Sequence, residues 1–170
     1  MVTKLDKIAK NVVQLLQNAN SVLATAESCT GGLISGAITS VSGSSDVFGF
    51  GVCSYANEAK MKLLGVRAET LEAHGAVSEE TAMEMAAGVR KLSGSDFGIA
   101  TTGIAGPTGG TPEKPVGTVW IGFSSEKKTF ALRYVFDGKM FPEETDTRQA
   151  IRLEAVYTAL SIVKKEIENS

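Results

Sequence analysis

A chain of 170 residues with 43% hydrophobic and 21% charged side chains has the balance of a soluble globular protein, with room for one sizeable core in a single domain. Its 17 basic and 19 acidic residues leave a formal net charge of −2, and the basic ones are scattered, which excludes the footprint of a duplex nucleic-acid or anionic-membrane binder. Two cysteines, Cys29 and Cys53, outside any Cys-x-x-Cys pair, exclude a disulfide scaffold and a zinc knuckle and fit reduced thiols in the cytoplasm. The first 20 residues lack the continuous apolar stretch of a signal peptide, and no apolar run approaches the ~18 residues of a membrane span.

In chain order, Leu5, Ile8, Val12, Leu15 and Leu16 form one stripe, which predicts an amphipathic helix over 4–18. A short apolar strand over 21–26 feeds Glu27-Ser-Cys-Thr-Gly-Gly32, and Leu33, Ile34, Ala37, Ile38 and Val41 then repeat at helical spacing. A strand entering a helix through Gly-Gly is an anion-binding geometry. Residues 42–45 form a turn before a strand over 48–55, and residues 57–64 a short helix stopped by Gly65. Ser78 with Glu79 and Glu80 caps a helix whose Ala82, Met85, Ala86, Val89 and Leu92 face inward. A core strand over 97–102 precedes a polar loop dense in glycine and proline, and two β-rich runs, 116–124 and 129–136, form a hairpin. A last helix runs from about Thr145 to Ile167. Strands alternating with helices, then a hairpin, predict a three-layer α/β/α domain on a mixed sheet of about five strands.

In such sheets ligands gather where strand ends and loops converge. Three segments qualify: Glu27 to Gly32, the Ser42 to Ser45 turn with the Tyr55 to Lys60 segment, and Thr102 to Thr111. None contains a histidine. His74, the single one, lies in Glu72-Ala-His-Gly-Ala76 and suits a turn bonded to backbone better than a catalytic triad. Metal-ligand spacings are absent near the loops, which argues against metal catalysis. The glycines of 103–110 lack the Gly-Lys-Ser/Thr ending of a phosphate-binding P-loop, and Gly49-Phe-Gly51 lacks a dinucleotide fingerprint.

What remains is a serine activated by a lysine. Ser45 before a strand, Tyr55 at its end and Lys60 on the next helix are the candidates, with Ser28 a second serine that also suits an N-cap or a ligand contact. As a base, Lys60 must be held largely neutral by burial. By spacing alone, the three equally suit a turn, a half-buried strand residue and a solvated helix charge.

Ala26-Glu-Ser-Cys-Thr-Gly-Gly32, Gly43-Ser-Ser45 with Phe48, Gly51, Tyr55, Asn57 and Lys60, His74-Gly-Ala-Val-Ser78, and Gly103-Ile-Ala-Gly-Pro107 through Lys114-Pro-Val-Gly-Thr-Val-Trp120 occur as ordered blocks. Together, from about residue 5 to 165, they resemble the C-terminal domain of the competence/damage-inducible protein CinA, a family whose stand-alone members are nicotinamide-nucleotide amidases. The resemblance implies hydrolysis of the carboxamide of nicotinamide mononucleotide to nicotinic acid mononucleotide and ammonia, in pyridine-nucleotide recycling, by a homo-oligomer without cofactor or metal. It makes Ser45 the nucleophile, Lys60 the base and Tyr55 a proton relay or orienting phenol between them.

Substrate contacts are then expected from Ser28, Thr30, Gly31 and Gly32, from Thr102, Gly103, Ala105 and Gly106, and from Arg148 and Arg152, four apart on one helical face. The two arginines equally suit surface pairs with Glu144 and Glu154. Where the family has Gly-Asp-Arg before the last helix, this chain has Asp146-Thr147-Arg148 after a longer loop. A non-catalytic module that binds a nucleotide or a protein is the alternative, since CinA-like domains also occur fused to a separate pyrophosphatase-like domain.

Overall fold

The computed structural model describes residues 3–144 and 146–170. Six helices and five strands follow one another as α1 (Lys4–Ala19), β1 (Leu23–Glu27), α2 (Leu33–Thr39), β2 (Phe48–Cys53), α3 (Asn57–Leu64), α4 (Ala68–His74), α5 (Glu79–Ser93), β3 (Phe97–Gly103), β4 (Thr118–Ser124), β5 (Thr129–Val135) and α6 (Thr147–Glu168). The sheet runs β2-β1-β3-β4-β5. Its first three strands are parallel, and the β4–β5 hairpin adds antiparallel to β3. This is the mixed five-stranded sheet expected, with helices on both faces.

Strand alternation sorts the core into two layers. Leu23, Phe97, Ile99, Val119, Ile121 and Phe123 pack with α1, α2 and α6. The opposite face is made of small residues: Ala24 pairs with Gly98, Ala26 with Ala100, and Ala100 with Gly122. That flat patch lets α5 approach the sheet closely. A Cβ on Gly122 would fall 2.1 Å from the carbonyl oxygen of Ala82, and one on Gly98 would fall 2.2 Å from that of Ala86.

Four local features differ from expectation. Residues 68–74 form α4, where no element was expected. A turn of 3₁₀ helix, Ser44–Asp46, occupies the turn before β2. β2 stops at Cys53, two residues short, and the chain turns into α3 from Asn57. Leu92, expected inside, is 52% exposed. Thr145, where the last helix was expected to begin, lies outside the described residues; Asp146 is the N-cap and accepts from the Arg148 N–H. No described helix is long and apolar enough to cross a membrane.

Candidate active site

The three parallel strands deliver their C-terminal ends to one edge of the sheet, with the segments after β1, β2 and β3 side by side. A cavity of about 280 Å³ opens there, and its walls include Ser28, Lys60, Tyr55, Thr102, Gly106 and Arg148.

Lys60, in the middle of α3, turns inward and is 1% exposed. Its Nζ lies 3.2 Å from Ser28 Oγ and donates to the carbonyl oxygens of Ser54 at 2.8 Å and Tyr55 at 3.2 Å. Burial pulls the ammonium below the usual lysine range, since desolvation penalises the charged form. A neutral amine has two N–H donors and one lone pair. As an ammonium, Nζ donates to all three oxygens; in the neutral form that burial favours, two N–H donors suit the two carbonyls and the lone pair suits the Ser28 hydroxyl proton.

Ser45 stands elsewhere. It is exposed in the 3₁₀ turn that enters β2, whereas Lys60 lies beyond the exit of that strand. A six-residue strand spans about 20 Å. The geometry therefore corrects the expected Ser45–Lys60 pair: the serine that meets Lys60 is Ser28. Tyr55 also differs from its expected place between base and nucleophile. Its phenol is at the cavity mouth, 65% exposed, and accepts from Arg148 Nη2 at 3.2 Å.

Ser28 is held from several sides. Its N–H donates to the Thr101 carbonyl oxygen, and its own carbonyl accepts from the Gly31 N–H. Behind it, the fully buried Glu27 carboxylate accepts from the hydroxyls of Thr30 and Ser35 and from the N–H groups of Gly32, Ile34 and Ser35. The helix start that the sequence marks as an anion site is thus filled by the protein's own carboxylate. The Gly31 and Gly32 N–H groups and the Thr30 hydroxyl are spent internally rather than on a ligand, and that hydroxyl also meets the one of Thr101 at 2.7 Å. Glu27 was missed as a candidate because an acidic residue inside a strand-to-helix bend carries no spacing signal of its own.

On the opposite wall, the Thr102 hydroxyl is committed to the Ala76 carbonyl oxygen at 2.6 Å, tying β3 to the segment before α5. Gly103, Ala105 and Gly106 do line the cavity. Arg148 reaches in from the first turn of α6 and also donates through Nη1 to the Gly106 carbonyl oxygen, despite the altered Asp146-Thr147 that precedes it. Arg152 does not line the cavity. It donates to the carbonyl oxygens of Cys29 at 3.1 Å and Thr30 at 2.9 Å and to Gln149 Oε1 at 2.7 Å. Glu154, offered as a surface partner for it, is buried and caps the loop before α6 by accepting from the N–H groups of Gly138 and Met140. His74 ends α4 with its ring 3.3 Å from Glu80 Oε1, an ion-pair geometry rather than the expected backbone bond. Cys29, beside Ser28, is no rival nucleophile, since burial pushes its thiol up to about 12.

The profile of the CinA C-terminal domain matches residues 5–167. A competence-damage inducible protein, so named, of Thermoanaerobacter pseudethanolicus is 51% identical over 160 residues, covering 94% of this chain and 37% of that protein. A CinA-like protein of Kosmotoga olearia is 47% identical over 162 residues, covering 95% and 37%. The chain thus spans well under half the length of the curated relatives it matches. Among solved structures, a competence/damage inducible protein of Agrobacterium tumefaciens superposes with a TM-score of 0.86 at 39% identity, covering 94% of this chain and 93% of that one. A CinA superfamily protein of Klebsiella pneumoniae gives 0.89 at 33% identity, covering 98% and 99%. With the profile running from the first helix to the last and the fold shared over nearly its whole length, the chain belongs to the CinA C-terminal domain family.

Proposed function

We propose that this protein is an amidohydrolase that converts nicotinamide mononucleotide to nicotinic acid mononucleotide and ammonia, with Ser28 as nucleophile and Lys60 as base. The observation that carries the proposal is the buried Lys60 amine, 3.2 Å from Ser28 Oγ with two carbonyls taking its donors.

Ser28 Oγ attacks the carboxamide carbon, its proton passes to the neutral Lys60 amine, and the carbonyl electron pair moves onto oxygen. Collapse restores the carbonyl and breaks the C–N bond, with Lys60 returning the proton to the departing nitrogen as ammonia. Water then attacks the acyl ester, Lys60 takes its proton and gives it to the leaving Ser28 oxygen. Tyr55 at the mouth offers a ring face to the pyridine. Arg148, with the loop through Gly103, Ala105 and Gly106, takes the ribose phosphate, a charge-assisted contact that an arginine fork suits. Neither metal nor cofactor is required by these steps, and this cytoplasmic reaction would recycle the pyridine nucleotide.

Ammonia release from nicotinamide mononucleotide tests the proposal. Turnover by the native chain, lost in Ser28→Ala and in Lys60→Met and kept in Ser45→Ala, is the expected pattern. A folded native protein that binds the nucleotide without releasing ammonia would instead make this a binding module.

A further inference from the structure

A second cavity, of about 290 Å³, lies beside the active one, and Val77 belongs to the walls of both. Strand alternation decides which ring it receives. Val119 and Ile121 pack into the core on the α1 and α6 side of β4, and a Cβ on Gly122 would meet the Ala82 backbone of α5, so Trp120 projects from the α5 face. Its cross-strand neighbours on that face are Thr102, which lines the active cavity, and Arg133. Trp120, the single tryptophan of the chain, is half-buried in the wall of the second cavity. Among the described residues its ring has neither an aromatic nor a cationic partner.

Lys114 and Arg133 line this cavity too, and among the described residues neither forms an ion pair. Each donates to a neutral carbonyl instead, Lys114 Nζ to that of His74 at 3.1 Å and Arg133 Nη2 to that of Glu113 at 2.8 Å. Both cations are thus held in place with their charge uncompensated. Glu79, Glu80 and Glu113 line the same cavity, and among the described residues only Glu80 has an ion-pair partner, the His74 ring. We infer that this cavity is a second binding site, for an aromatic zwitterion: a cationic aromatic ring that lies on Trp120 and carries an anionic group to Arg133 and Lys114. An indole face attracts a cation, and the acidic residues around it favour the same sign of charge. An arginine fork with a lysine beside it suits a carboxylate or phosphate. A ligand of one sign would leave the groups of the other sign unanswered. None of these residues takes part in the proposed hydrolysis, so the site stands whether or not that reaction does.

Fluorescence of the whole chain tests the site, because no other tryptophan blurs the signal of Trp120. The probe is N-methylnicotinate, a pyridinium ring with a carboxylate and no amide to hydrolyse. It should quench the emission along a saturating curve while the lifetime of the remaining emission stays unchanged, the signature of a bound complex. N-methylpyridinium, which lacks the anion, and benzoate, which lacks the cationic ring, should each bind about tenfold more weakly, the scale of one lost charged contact. The first is read from its own quenching and the second from displacement of the probe. Arg133→Met should weaken the probe by about tenfold as well and leave ammonia release unchanged. Lys114→Met serves if that variant does not fold. Arg148→Met, at the mouth of the active cavity, should leave the quenching as it is.

Quenching that stays linear and shortens the lifetime means only collision with an accessible indole, and overturns the inference. So does saturable binding that folded Arg133→Met and Lys114→Met leave at native strength; its loss in Arg148→Met would then put the probe in the active cavity. Failure of the native chain to release ammonia would remove the proposed function and leave this site untouched.

Discussion

Lys60 is an ionisable group with almost no access to water, facing two carbonyl oxygens and a hydroxyl. Burial lowers its pKa, so at a given pH more of it is the free base that the proposed mechanism uses. The rate of amide hydrolysis should rise with pH along a limb that lies below the ordinary lysine value of about 10.4, and a pH profile of kcat/KM reads it directly. The same shift has a stability sign. Between the lowered folded pKa and the unfolded value, the unfolded chain holds more protons, so unfolding free energy climbs as pH rises through that window. Urea melts of the native chain should show this climb, and Lys60→Met should lack it.

Glu27 presents the converse case, a buried carboxylate surrounded only by donors. Glu27→Gln turns an amide N–H₂ toward those donors. A loss of about 2–3 kcal/mol in urea unfolding is expected, from unmet hydrogen bonds to a charged group. At this scale the pairing of a serine with Lys60 was legible, since the structure brings a serine hydroxyl within 3.2 Å of that amine. The choice between Ser28 and Ser45 was not, because both stand beside glycine turns and only the direction of β2 places one of them at the wrong end.

Helix α5 rests closely on the small-residue face of β1, β3 and β4. Gly122→Ala should destabilise by about 2 kcal/mol, since the new methyl meets the Ala82 backbone rather than a side chain that can swing away. Gly36→Ala is the matched contrast. It sits inside α2 with nothing within 4 Å of the added carbon, so a gain of about 0.5–1 kcal/mol is expected. Denaturation midpoints of the two variants should move in opposite directions.

Most elements could be read from periodicity because their apolar stripes are clean, as in α1, where Ile8, Val12 and Leu16 are all buried. α4 escaped because its seven residues bury only Thr70, too short a run to show a stripe. Leu92 fits the inward stripe of α5 by spacing, yet it lies near the helix end, where the core no longer covers it.

Across the molecule, β1 and β3 lie side by side in the centre of the sheet, with β2 beyond one and the hairpin beyond the other, so three chain-distant segments meet at one edge. That meeting is why residues 28, 60 and 148 share a cavity, and no local sequence pattern could have shown it. α6 joins the far end of the chain to the site through two arginines of different use: Arg148 faces the cavity, and Arg152, one turn on, grips the Ser28 loop from behind. Their four-residue spacing placed both on one face, but not on the same side of the Ser28 turn.

The most direct test of the account is to quench the protein during turnover of nicotinamide mononucleotide and locate the acyl group by peptide mass spectrometry. The account predicts a nicotinoyl ribotide ester on the peptide at Ser28, absent from Ser28→Ala and increased when deacylation is slowed. An ester at Ser45, or ammonia release undiminished in Ser28→Ala, would contradict it.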